Sequence, residues 1–510
     1  MQGIDLVAGG PAPVDVCEAL LARGEIAAAV TVFQHSFAVA PSHAAAYRLG
    51  KALLRAGRPV EAVDCFVACL HLAPNFGEGY ICLAETLRRL GLLEQSLWAA
   101  RCAVDHLPLA PEAKLCLANT LHDQSEYQSA AKTYAQALAA APGHPGILSS
   151  LGNTLHAMGR LHEALAMHDR AVAGAPQSAD FHFNRAVTLL AAGDFARGWG
   201  EYEWRWQRSQ ARVRGFGVAW RGEDIAGRTI LLHAEQGLGD TLQFVRYASL
   251  VAERGARVVL EVQPSLVRLL QAIPGVARTV ARGDRLLRFD AHCPLLSLPY
   301  AFRTTLESIP ARLPYLRADP RAIGTWRKQL PADERLRVGL VWAGSAHIDG
   351  EEAYLIDRRR SLAPADLAAL AAVSGVHFVS LQQHDPGRDR DLSDDLALSD
   401  PLALSDPMGG VTDFADTAAV VAGLDLVISV DTSVAHLAAG MGKPVWLLSR
   451  YDGCWRWLHG RDDSPWYPGM RIYRQRHPDD WPWVLAAVAR DLAALSADRR
   501  PRLPESACKR

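Results

Sequence analysis

Five prolines, Pro41, Pro74, Pro108, Pro142 and Pro176, stand 33, 34, 34 and 34 residues apart. A second series, Gly24, Gly57, Gly91, Ser125, Gly159 and Gly193, runs in step with one glycine replaced. Five residues after each member comes a small side chain: Ala29, Ala62, Ser96, Ala130, Ala164 and Gly198. Glycine permits the left-handed turn between two helices, the small residue lets them pack closely, and proline marks where a helix cannot continue. Such a period describes a stack of helix pairs, each burying its apolar face against its neighbours.

The pattern resembles the tetratricopeptide repeat. Five full units cover roughly residues 8 to 176, and a sixth begins at Gln177 and departs from the pattern after Phe195. There the chain runs into Gly198-Trp199-Gly200-Glu201-Tyr202-Glu203-Trp204-Arg205-Trp206, expected to pack the last helix onto whatever follows. One column of the groove formed by the first helices reads Glu18, Lys51, Glu85, Asn119 and Asn153. The segment Leu151-Gly152-Asn153-Thr154-Leu155 resembles the repeats of O-linked N-acetylglucosamine transferase, whose asparagine ladder holds extended peptides. Amides both donate and accept, so Asn119 and Asn153 are candidates for acceptor binding. The same column reads equally well as a solvated polar surface, and two asparagines do not make a long ladder. A five-unit solenoid is in either case a surface for a protein partner.

Composition narrows the remainder. Lysine plus arginine total 54 against 55 aspartate plus glutamate, which gives no charge signal for nucleic acid or anionic lipid. No apolar run is long enough to span a membrane and no secretory leader is evident, so a cytoplasmic location is expected. Nine cysteines form no C-x-x-C pair, and most fall at helical repeat positions as small buried thiols.

Beyond Arg228 the period disappears and short apolar strands alternate with helices. Strands are expected at 229–233, 258–262, 338–342, 378–381, 426–430 and 444–448, with helices at 240–254 and 433–440. This alternation predicts two doubly wound parallel sheets, with ligands at the carboxyl ends of their strands. The fold class is therefore α plus α/β. A repeat solenoid occupies 1–206, a linker 207–227, a first α/β domain 228–330, a second 331–497 and a tail 498–510.

Three strand ends carry chemistry. The first, His233-Ala234-Glu235-Gln236-Gly237-Leu238-Gly239-Asp240, places two glycines and an aspartate at a helix start, where Asp240 is an N-terminal cap or a general base. The second ends in Gly344 and Ser345 and is followed by Asp357-Arg358-Arg359-Arg360-Ser361, whose arginines suit a diphosphate as readily as a solvated surface. The third, Asp431-Thr432-Ser433-Val434-Ala435-His436, opens a helix whose amides form an anion site, with Lys443 downstream as a further cation. Gln382, after the strand at 378–381, joins the donor-side group.

The pattern Gly237-x-Gly239-Asp240-x-Leu242, together with Asp431-Thr432-Ser433-x-x-His436-Leu437-Ala438 and Gly442-x-Pro444, resembles the heptosyltransferase-type glycosyltransferases of GT-B fold. With its solenoid the whole chain, over about residues 10–485, is similar to bacterial tetratricopeptide-repeat glycosyltransferases, flagellin-modifying enzymes among them. The resemblance implies inverting, metal-independent transfer from a nucleotide-activated sugar to a serine or threonine, with no cofactor. It implies that Asp240 is the base and that Asp431, Thr432 and Ser433 hold the donor, while His436 matches by position. The first sheet domain, about 100 residues, is short for this fold, which leaves part of the acceptor wall to the solenoid. The only D-x-D, Asp389-Arg390-Asp391, has no strand before it and reads as surface. Leu396–Pro401 is repeated at once as Leu402–Pro407, a loop expansion expected on the surface. Six tryptophans from Trp446 to Trp483 are expected mainly to pack the C-terminal helix back across the two domains. Lipid-linked or polysaccharide acceptors, and a non-catalytic scaffold, are the alternatives.

Overall fold

A computed structural model describes residues 19–20, 22–209, 215–344, 351–383, 402 and 404–498, with backbone alone at 351–354. The chain divides into two compact units: Met1–Leu155 with Ala166–Pro176, and His156–Leu165 with Gln177–Arg510. The division falls inside the fifth repeat, earlier than residue 206, because the sixth repeat packs with the sheets.

The repeats are antiparallel helix pairs, such as His43–Arg55 with Pro59–Leu72, Gly77–Arg89 with Leu93–His106, and Pro111–Asp123 with Tyr127–Ala140. Every turn position is left-handed: Gly24, Gly57, Gly91, Gly159 and Gly193 have φ between 72° and 80°, and Ser125 follows them at 65°. The small column is fully buried, with Ala29, Ala62, Ala130 and Ala164 each at 0 % exposure. Ser96 keeps its place there by donating to the Ala84 carbonyl at 2.8 Å and sharing a 3.0 Å hydrogen bond with Thr120. A buried threonine column, not anticipated from sequence, runs alongside. Thr86 and Thr120 donate to carbonyls four residues back, and the His122 ring meets the Thr154 hydroxyl of the next unit at 2.9 Å. Asn119 and Asn153 are half-buried on the first helices of their units, and Asn119 accepts from the Tyr134 hydroxyl at 2.6 Å. Asn119 is thus already committed on one side to its own repeat.

The second unit contains two all-parallel sheets. The first has strands β1 (Thr229–His233), β2 (Arg257–Val262), β3 (Val276–Ala281) and β4 (Ala291–Pro294) in the order β3-β2-β1-β4. The second has β5 (Leu336–Val341), β6 (Val376–Ser380), β7 (Leu426–Val430), β8 (Val445–Ser449) and β9 (Met470–Arg474) in the order β6-β5-β7-β8-β9. All five residues of β7 and of β8 are buried, as expected for strands covered on both faces. The strand order reverses between β1 and β4 and again between β5 and β7. Each reversal opens a crevice at the carboxyl ends of the strands.

The aromatic end of the sixth repeat is core. Trp199, 2 % exposed, donates its indole N–H to the Thr304 carbonyl at 3.1 Å and packs edge-on to Trp455 with ring centres 5.4 Å apart. Trp466 meets Phe195 and Phe244 at 5.9 and 5.6 Å. The interdomain packing expected of the C-terminal helix falls instead to this tryptophan-bearing loop. The helix Trp481–Asp498 contacts β9 and buries Trp481, Val484, Val488 and Leu492 in the core of the second sheet. The duplicated segment also departs from expectation where it is described. Leu402 is buried, and Ser405 pairs with β6, donating to Phe378 and accepting from Ser380. Its first copy, and Asp389-Arg390-Asp391, lie outside the described residues.

Ser125→Gly is expected to stabilise the chain by about 0.5–1 kcal/mol, since a non-glycine residue is strained in that conformation. Gly57→Ala, where nothing lies within 4 Å of an added Cβ, should cost about 1 kcal/mol through backbone conformation alone. Urea denaturation of both variants tests the pair.

Candidate functional site

One cavity of about 810 Å³ collects the strand ends of both sheets. Gly237–Asp240 after β1, Ala343 and Gly344 after β5, Gln382 after β6 and Asp431–Ser433 after β7 all line it. Crossing these strand ends onto one void is what an all-parallel arrangement does, because every carboxyl end of a sheet points the same way.

Asp240 is the third residue of the helix Leu238–Phe244 and closes it by accepting from the Gly237 amide at 3.0 Å. Its other oxygen pairs with the guanidinium of Arg456, from the loop after β8. The cap and the cleft-facing carboxylate are therefore one residue in one geometry. Arg456 is 9 % exposed. Burial opposes its charge, but Asp240, Cys454 and Tyr202 outweigh it and hold the guanidinium above its ordinary value. Its side chain also donates to the Cys454 sulfur at 3.1 Å.

The glycine at 239, which lines the cavity, is also required by packing. A Cβ there would meet the His436 ring at 2.9 Å, because the helices Leu238–Phe244 and Ser433–Gly440 cross at that point. His436 is stacked 5.1 Å from Trp457, shares a 2.8 Å hydrogen bond with the Tyr467 hydroxyl, and lies 4.0 Å from Asp431. Burial, with Arg456 and Arg246 nearby, pushes its pKa down to about 3 against the pull of Asp431.

Gly344 is required by crowding. An added Cβ would collide with the Asp357 carboxylate and the Arg360 guanidinium. Arg360 is fixed by Asp357 at 2.9 and 3.0 Å and by the Asp431 carbonyl at 2.8 Å, so its cation is aimed between β5 and β7. Gln382 accepts from the Trp342 and Ala343 amides, closing the end of β5. The helix Ser433–Gly440 begins after Thr432 without a side-chain cap on its first amides. Ser429 shares a 3.1 Å hydrogen bond with the Thr432 hydroxyl, which holds that turn.

Two expected cations are elsewhere, and one residue cannot be placed. Arg358 is exposed and does not line the cavity. Lys443 precedes β8, so it sits at the amino ends of the strands, donating to the Ala422 and Leu424 carbonyls at 2.8 and 2.7 Å. It caps a helix instead of facing the cleft, and burial lowers its pKa. Ser345 lies outside the described residues. Asn119 and Asn153 belong to the other unit. Sequence reading missed Arg450 and Arg456, which line the cavity from the loop after β8. Their only signal was a basic residue shortly after a buried strand in the tryptophan-dense segment. Among the described residues no group of three or more His, Cys, Asp or Glu side chains is placed to hold a metal ion, and no helix is long and apolar enough to cross a membrane.

Residues 407–448 match the model of glycosyltransferase family 9 (heptosyltransferase), and 18–75, 83–145 and 150–203 match the tetratricopeptide repeat. The first match contains β7, the Asp431-Thr432-Ser433 turn and β8 as far as Leu448. Protein FlbA of Caulobacter vibrioides is 28 % identical over 347 residues, 62 % of this chain and 56 % of that protein. The chain thus matches little more than half the length of this relative. A thermophilic tetratricopeptide-repeat protein of Thermus thermophilus is 29 % identical, with a TM-score of 0.31 over 35 % of this chain and 97 % of its own. A repeat protein of Parabacteroides merdae is 16 % identical, with a TM-score of 0.35 over 39 % and 79 %. In one chain, then, repeat matches between residues 18 and 203 precede a short match to glycosyltransferase family 9 at 407–448.

Gly344→Ala should displace Arg360 and lower the melting temperature. For His436 the folded-state pKa lies below the ordinary value near 6.5, so its contribution is intact above pH 6.5 and is lost as pH falls toward 3. His436→Gln is expected to reduce the acid-side slope by about one proton, roughly 1.4 kcal/mol per pH unit, in denaturation between pH 6 and 4.

Proposed function

We propose that the protein is a glycosyltransferase that moves a sugar from a nucleoside diphosphate to a serine or threonine hydroxyl of a protein acceptor bound by its repeats. The observation that carries this reading is the convergence of Arg360, Arg450, Arg456 and the uncapped helix start at Ser433 on the cavity that also holds Asp240. Cations and helix amides suit the charge that develops on a departing diphosphate, and a fixed carboxylate suits removal of a hydroxyl proton.

In this scheme the acceptor oxygen attacks the anomeric carbon from the face opposite the diphosphate, and the configuration inverts. The carbon–oxygen bond to the diphosphate breaks, and its electron pair leaves with the nucleotide. The hydroxyl proton passes to Asp240. Arg456 and the Gly237 amide hold that carboxylate while leaving it lone pairs for the proton. Arg360, braced by Asp357 and the Asp431 carbonyl, has little side-chain freedom left to lose on binding the diphosphate. The heptosyltransferase description of the matching model favours a second reading, in which the acceptor is a saccharide and the repeats recruit another protein.

Thermal melts with ADP, GDP, UDP, CDP and dTDP, with and without chelator, test the donor site. One nucleotide should stabilise by about 2.7 kcal/mol at a hundredfold excess over its Kd, and the shift should survive chelation. No shift with any of them would favour the scaffold alternative. Asp240→Asn should keep nucleotide binding and lose about 10²- to 10⁴-fold in transfer rate, measured with the matching nucleotide sugar.

A further inference from the structure

The two strand-order reversals are treated differently. The crevice between β5 and β7 opens into the cavity through Gly344 and Asp431, whereas no residue between β4 and β5 lines it. The reversal between β1 and β4 is occupied by the chain itself. Arg205, from the short helical turn Glu203–Gln207 that ends the sixth repeat, is 7 % exposed. Its guanidinium donates to Glu235 after β1 at 2.9 Å and to the Ser297 hydroxyl after β4 at 2.7 Å. Glu203 completes the group, accepting from Arg205 at 2.6 Å and from Ser297 at 2.9 Å. Tyr202 accepts from the Gln236 side chain at 3.2 Å.

From the chemistry of this plug we infer that Tyr202 and Arg205 are positioning residues: the end of the sixth repeat sets the Glu235–Gly239 loop and, through it, the carboxylate of Asp240. The inference rests on the proposed role of Asp240. Glu235 and Gln236 immediately precede Gly237, whose amide is the cap that Asp240 accepts from, so the loop has few free torsions between the plug and the carboxylate. A buried guanidinium shared by two carboxylates is costly to misplace, since moving it leaves charge unpaired. Burial pushes Glu235 up to about 7 against the pull of Arg205, with Glu203 and Asp240 adding to the rise. Its carboxyl is held at that position by geometry rather than by solvation.

The test uses the full chain with Arg205→Met, Arg205→Lys and Tyr202→Phe. Amide hydrogen exchange is followed over residues 235–241, with 433–440 as the reference helix. Tyr202→Phe and Arg205→Met are expected to speed exchange in 235–241 by about tenfold or more while leaving 433–440 unchanged. Arg205→Lys should recover part of the protection. Binding of the nucleoside diphosphate selected by the melts should stay within about twofold, because the second-sheet arginines remain in place. With the matching nucleotide sugar, kcat should fall by about 10- to 100-fold at unchanged donor KM, as expected for a displaced base. Unchanged exchange in 235–241, or a donor KM that rises with kcat intact, overturns the inference. Should Arg205→Met not fold, Tyr202→Phe alone decides, since it removes one hydroxyl. If no nucleoside diphosphate binds, the functional reading fails, and the exchange data still decide whether the repeat fixes the loop.

Discussion

Asp240 and Arg456 hold one another across the cleft, and the arrangement of the site follows from that pair. One comes from the loop after β1 and the other from the loop after β8, so the contact joins the two sheets at their carboxyl ends. Arg456 is the buried partner, and the half-buried Asp240 carboxylate supplies its main countercharge. The pair also orders its surroundings. Arg456 carries Cys454 into the cavity, and Asp240 fixes the helix that crosses Ser433–Gly440 at Gly239.

Around the pair the packing is aromatic. Trp199, Trp455, Trp466 and Phe244 form a cluster between the last repeat and both sheets, with rings mostly edge to face. This geometry gives directional contacts in addition to buried area. Arg246 adds a second tie, donating from the first sheet's helices to the Trp466 carbonyl and to Tyr315. His436, Tyr467 and Tyr315 continue it toward Asp431. The cleft walls are therefore set by a connected polar and aromatic frame.

Much of this was legible in the sequence where one residue has one local reason. The left-handed turn required glycine, so its column announced the repeats, and even Ser125 was found in the predicted conformation. The strands β1 and β7 and the helix Ser433–Gly440 fell where apolar runs and turn residues placed them. Three strands, β3, β4 and β9, were missed because exposed or mixed segments such as Val276–Ala281 lack an apolar run. Long-range partnership was the harder part. Arg456 looked like any surface cation until its loop folded back onto Asp240, and Lys443 looked available until the sheet placed it at the opposite end. The packing of Gly239 against His436 likewise depends on a helix nearly two hundred residues away in sequence.

The fixed length of the repeat has a consequence for how such a chain can change. A unit of 34 residues that begins and ends at equivalent turns can be gained or lost whole without altering the register of its neighbours. The sixth unit has no such freedom, because Trp199, Tyr202 and Arg205 are built into the first sheet. Whole units can therefore be added or removed upstream, while the sixth stays fixed by its bonds to the loop after β1.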